Sequence, residues 1–344
     1  MWSNPLLDPE LEKKVSSEFK TLLSLEDHQR RMWCLVYAHE TNAAIRASKR
    51  LSGGYQNGAK VAQALLRGVG GADKQYAKLP AVMREQLAMK YALVVFHRKR
   101  EAWGKVRAIL VDIPGDGRDA EAWWVERRIV ARHSIGTKRK DSFKAAYQIT
   151  RSHGVASGEG ASEGEFLAGW IALRHLKEPG KALPHFQKLH TLVRTETEKA
   201  RAKYWTGRAF AAMGRETEAK SAYREAAQYS TVYYGQLARE KIGLGKVPEK
   251  VTSGESSAEA RAKIDKDEVA RAFKLVAAAG GKGDLHMFLW AFAHRFDTAD
   301  EMNAAADLVW SEGGATMALK LAKAAAPRNI DIDHWSYPVN ALPG

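Results

Sequence analysis

Four things are scarce or missing in this 344-residue sequence, and each narrows what it can be. It has a single cysteine, Cys34. That excludes an internal disulfide framework and a four-cysteine zinc site, and Cys34, between Trp33 and Leu35, reads as a small buried apolar residue. Proline is sparse, at 10 residues, and Pro80, Pro114, Pro179, Pro248 and Pro327 stand where turns are expected. Long β-branched runs are missing, so sheets are not expected. No run of about 18 apolar residues occurs, so nothing in the sequence reads as a membrane span. Met1-Trp2-Ser3-Asn4-Pro5 lacks the basic and apolar regions of a secretory leader, which points to a cytoplasmic protein or a removed leader.

What is abundant is alanine, leucine and charge. The hydrophobic share is 45%, and 54 Lys+Arg against 40 Asp+Glu leave a formal net charge of +14. A basic surplus favours polyanionic partners. Here it is dispersed: the densest clusters, Arg98-Lys99-Arg100 and Lys138-Arg139-Lys140, are short. Dispersed charge reads as a solvated surface, so a nucleic-acid partner is not expected.

The stretch from Lys199 to Gly243 carries the clearest organisation. Two helical patterns, the first with Tyr204 and Trp205, flank a turn at Met213-Gly214-Arg215, and Gly207, Phe210, Ala219, Tyr223 and Ala226 fall at the offsets of a tetratricopeptide-type hairpin. A second unit lies upstream: Gly169 and Trp170, a turn at Glu178-Pro179-Gly180, then Ala182 and Phe186. Aligning Gly169 with Gly207 gives a period of 38 residues; Phe186 with Tyr223 gives 37. One extra residue is expected in the first hairpin's turn. Such hairpins cannot bury their apolar faces alone, so they imply a stack. The expected fold is all-α: an α-superhelix, or α/α solenoid of helix hairpins, tetratricopeptide-like in part and curved or ring-like.

Three domains are expected. Residues 1–250 form the helix-hairpin part, clearest over 162–243; 251–328 form a helical linker domain; 329–344 form an extended tail. Within the first, helices are expected from Asp8-Pro9 and from Ser24, the latter turning Met32, Leu35 and Val36 inward. A longer helix runs from Pro80 to His97 with Val82 on its apolar face. Trp123-Trp124 and Phe143 mark a degenerate hairpin, and residues 154–164 read as a flexible glycine-rich connection. In the linker domain Phe273, Phe292, Val309 and Leu321 lead the expected core.

No catalytic constellation appears. Phosphate loop, nucleophile elbow and His-Glu-x-x-His motif are all missing. His185 and His190, five apart, fall on different helix faces and read as surface or groove histidines. The carboxylates are expected on exposed faces. Glu255-Ser256 sits in a connection where nothing would raise a carboxyl pKa for acid catalysis. Catalytic, cofactor and metal residues are therefore none.

Residues 166–174 (Phe-Leu-Ala-Gly-Trp-Ile-Ala-Leu-Arg), 182–186, 202–209 and 231–238 (Thr-Val-Tyr-Tyr-Gly-Gln-Leu-Ala), with Trp123-Trp124-Val125-Glu126-Arg127-Arg128 and Tyr337-Pro338-Val339, together resemble the superhelical part of soluble lytic murein transglycosylases. The residues that carry the likeness are Gly169, Trp170, Phe186, Trp205, Gly207, Ala219, Tyr223, Tyr234 and Gly235. The resemblance implies a periplasmic monomer acting on peptidoglycan glycan strands, its α-superhelix supporting a C-terminal lysozyme-like domain. There, a single Glu cleaves the bond between N-acetylmuramic acid and N-acetylglucosamine to a 1,6-anhydro product. That domain's Glu-Ser and Gly-Leu-Met-Gln segments have no counterpart here, so this chain is expected to be inactive alone and to lead into it. The alternative is a tetratricopeptide-like adaptor that binds a protein segment in its groove.

Overall fold

In a computed structural model, every regular element among the described residues is helical. Those residues are 2, 7–115, 119–245, 254–281, 283–328, 330 and 332–336. The expected boundary at 250/251, Pro248, most of the 329–344 tail and Tyr337-Pro338-Val339 lie outside them. The chain divides into two compact units, Met1–Val193 with Ala202–Ala222, and Arg194–Arg201 with Tyr223–Gly344.

The first unit contains α1 (Pro9–Glu18), α2 (Leu25–Tyr37), α3 (Thr41–Ser48), α4 (Gly53–Arg67), α5 (Ala72–Ala77), α6 (Ala81–Arg84), α7 (Leu87–Lys99) and α8 (Trp103–Val111). It continues with α9 (Ala120–Gly136), α10 (Lys140–Arg151), α11 (Gly158–Ile171) and α12 (Pro179–Leu192). Helices α13 (Glu196–Ala212) and α14 (Glu216–Ala227) are each divided between the units.

Helix starts follow local chemistry. The Asp8 carboxylate accepts from the Glu10 and Leu11 amides at 2.9 Å, with Pro9 just inside. Ser24 and Asp27 form a reciprocal capping box. Inward-facing Met32, Leu35 and Val36 then join Leu65, Met89, Val94, Val95, Val106 and Leu110 in one continuous core. Burying each such aliphatic side chain stabilises by roughly 1.5–3 kcal/mol.

Three local expectations need correction. The helix expected from Pro80 to His97 breaks at Glu85-Gln86, and Val82, on the short α6, is 74% exposed. Cys34 is half-buried rather than buried. Residues 158–164 are not a flexible connection but the first turns of α11. Two of their glycines serve close packing: a Cβ at Gly164 would lie 2.7 Å from the His153 ring, and one at Gly160 equally near Glu121. Composition alone cannot separate a loop from a helix that must be approached this closely.

The two hairpins compared by Gly169 and Gly207 differ by one residue, but not in the turn. After α11 the chain winds through a π-helical turn, Ala172–Leu176, ended by Lys177 at φ 60°. An i→i+5 turn holds one residue more than an α turn, and that is where the surplus sits. The turn between α13 and α14 spans Met213 to Arg215, with Gly214 at φ 74°.

The second unit includes α15 (Tyr233–Lys241), α16 (Ala258–Lys266), α17 (Glu268–Ala278), α18 (Phe288–Arg295), α19 (Ala299–Gly313), α20 (Ala315–Ala325) and α21 (Asp333–Ser336). Its separate core gathers Phe273, Phe292, Phe296, Met302, Val309 and Leu321. Phe273 and Phe292 meet edge to face at 5.4 Å.

Candidate functional site

Helix α11 is the hub of the first unit's polar architecture, because it carries two carboxylates two residues apart. Residues at that spacing point to different sides of a helix. Glu163 faces α9, where Trp124, Arg128 and Arg132 recur every four residues. The Trp124 indole donates to Glu163 Oε2 at 3.2 Å, Arg128 to the same oxygen at 2.9 Å, and Arg132 to Oε1 at 2.5 Å.

Glu165 faces α12 and is buried, at 3% exposure. Its Oε1 accepts from His153 Nε2 at 3.1 Å and from the Lys188 ammonium at 2.6 Å. Its Oε2 accepts from His185 Nδ1 at 2.6 Å. The Val155 amide donates to His153 Nδ1, which leaves Nε2 as the ring's donor and fixes its tautomer. His185 Nε2 lies 3.3 Å from the Tyr147 hydroxyl of α10. Burial alone would push the Glu165 carboxyl up; donors from His153, His185 and Lys188 outweigh it and hold the group well below the usual carboxylate range. A carboxylate that stays ionised in this way cannot serve as a general acid near neutral pH. The arrangement ties α10, α11 and α12 together.

The carboxylates are thus not all on exposed faces. Glu12 is 3% exposed, with Arg31, Arg46 and Arg50 around it, and Glu126 is 2% exposed under a two-pronged pair from Arg98. Each is buried with guanidinium groups from elsewhere in the unit replacing the lost water. Arg127 is buried too and donates to the carbonyls of Ile149, Ile113 and Pro114. His185 is a partner in a buried network rather than a surface histidine. His185 and Lys188, three apart on one face of α12, were the available signal for it.

The residues that carry the family likeness fall into different settings. Gly169 lies under Phe186: a Cβ there would be 2.7 Å from the ring. Phe186 packs against Trp205 at 5.9 Å, and Phe166 touches both. Trp170 stands apart, half-buried and edge-on to His175. Gly207, Ala219 and Tyr223 are buried. Gly235 is buried with the Tyr229 carbonyl so close that no Cβ could fit, while Tyr234 is half-buried beside the exposed Tyr233. Glu255 is exposed, but Ser256 is not in a loose connection: it is 5% exposed and donates to Asp307 Oδ2 at 3.1 Å.

Among the described residues no group of three His, Cys, Asp or Glu side chains is arranged to hold a metal ion, and no helix is long and apolar enough to cross a membrane.

No family model and no curated protein matches the chain. Among solved structures it is similar to an inactive mutant of the lytic transglycosylase Slt from Pseudomonas aeruginosa, with a TM-score of 0.65 at 15% identity. The two share a fold. The likeness takes in 98% of this chain and 53% of the Slt chain, so the protein spans about half the length of the structure it matches.

Proposed function

We propose that this chain is the helical, non-catalytic part of a periplasmic lytic transglycosylase, a monomer that supports a catalytic domain and guides anionic peptidoglycan strands toward it. The observation that carries the reading is the fold shared with Slt across nearly the whole chain and about half of that enzyme. Two further features support it. Glu165 is held ionised by three donors, so it lacks the protonation that glycosidic cleavage asks of its acid. The net charge of +14 would attract the carboxylates of the cell wall over about 8–10 Å at moderate salt.

The test is co-sedimentation with purified peptidoglycan sacculi, with the supernatant analysed for released fragments. The chain should pellet with sacculi at low salt, progressively less at high salt, and should release no anhydro-muropeptides. Release of such fragments by the isolated chain would overturn the non-catalytic assignment. Failure to pellet at low salt would overturn the guiding role.

A further inference from the structure

The second unit has an open cleft of about 440 Å³ between α16, α17 and α19. Ile264, Ala304 and Leu308 give it an apolar floor, and its rim is charged with both signs. Asp265 and Lys274 on that rim neutralise each other at 2.7 Å. Three rim groups remain: Arg261 on α16, and Asp307 and Glu312 on α19. Among the described residues none of the three has an ion-pair partner within 4 Å. Some other carboxylates of the unit do find cations: Asp267 and Glu268 share Arg295, Glu301 takes Lys263, and Asp297 takes Arg328.

On a chain with surplus cations, carboxylates that are half-buried and unpaired are costly to keep. Burial raises the Asp307 carboxyl above its ordinary value, with only the Ser256 hydroxyl and the more distant charges of Arg261 and His334 opposing it. The opposite wall carries the Arg261 guanidinium, which has no ion-pair partner or hydrogen bond among the described residues. A purely anionic ligand would meet Asp307 and Glu312, and a purely cationic one would meet Arg261. The volume falls within the usual range for small-ligand sites, roughly 300–1,000 Å³.

We propose that this cleft binds a short peptide carrying both a free carboxylate and a free ammonium, the carboxylate on Arg261, the ammonium on the α19 wall that carries Asp307 and Glu312, and small side chains over the apolar floor. The proposal goes beyond the peptidoglycan reading and does not rest on it. Two sources offer this chemistry: a free peptide, whose ammonium is at the chain start, and a peptide anchored through its start, whose ammonium is on a side chain.

The test is calorimetric titration of the full chain with alanyl-alanine and with Nα-acetyl-lysyl-alanine. Saturable binding of the first marks a free peptide as ligand, and of the second an anchored one. Acetylating the first ligand's amine or amidating its carboxylate should weaken binding about tenfold or more. Arg261→Gln and Glu312→Gln, at side chains with no ion-pair partner within 4 Å among the described residues, should each cost about tenfold while melting behaviour stays nearly unchanged. No binding of either peptide in the millimolar range, equal binding of the blocked forms, or full affinity in both variants would overturn the proposal.

Discussion

Replacing Glu165 by glutamine tests whether the α10–α11–α12 junction depends on a buried charge. The substitution keeps shape and removes the negative charge that accepts from His153, His185 and Lys188. Removing one member of a fully buried ion pair costs about 3–5 kcal/mol. Lys188 is 56% exposed and can return to water, so the expected loss at neutral pH is nearer 2–3 kcal/mol. For a unit of this size that is a fall in melting temperature of roughly 5–10 °C. The sign with pH follows from the depressed carboxyl. The native protein keeps Glu165 ionised below the ordinary glutamate pKa of 4.5, where the unfolded chain takes up a proton. Its contribution is therefore complete above that value and declines by about 1.4 kcal/mol per pH unit below it. The assay is thermal and urea unfolding of parent and variant, followed by tryptophan fluorescence, at pH 7 and pH 3.5. The gap between the two proteins should narrow at the lower pH. A gap under about 1 kcal/mol at pH 7, or one that widens on acidification, would refute the reasoning.

Three other outcomes are expected. Gly164→Ala would drive a methyl into the His153 ring and should lower stability by about 1–3 kcal/mol in urea unfolding, whereas Gly104→Ala, with open space around it, should not. Arg127→Met would leave the carbonyls of Ile113 and Ile149 without their donor and should cost about 2–4 kcal/mol, measured by the same unfolding curves. Gly214→Ala should cost about 1 kcal/mol, because φ 74° is disfavoured for a residue with a Cβ; hydrogen exchange in α13 and α14 would show local opening.

The helices were legible where causes are local. Asp8 and Ser24 cap helices whose signals lie within four residues, and Gly214 marks a turn between two periodic patterns. Phe273, Phe292, Val309 and Leu321 could be placed in a core because 3.6-residue periodicity shows which side of a helix is apolar. Features that join distant residues were not legible. Nothing near Glu12 announces Arg46 and Arg50, and nothing near Glu126 announces Arg98. The glycines at 160 and 164 were misread because low side-chain bulk signals both slack and tight approach. Only the partners, Glu121 and His153, decide which. The break at Glu85-Gln86 was missed because the apolar pattern continues across it while Val82 turns to solvent. The cleft joins Arg261 to Asp307 and Glu312, more than forty residues further along the chain, beyond any motif.

The π turn at Ala172–Leu176 bears on how this architecture tolerates change in length. A surplus residue placed in a connecting loop would alter where the next helix docks. Stored as a wider coil, it lets Gly169 stay under Phe186 while the backbone still reaches Pro179 in step. Indels at such positions would be absorbed by winding, leaving the interlock between neighbouring rods untouched.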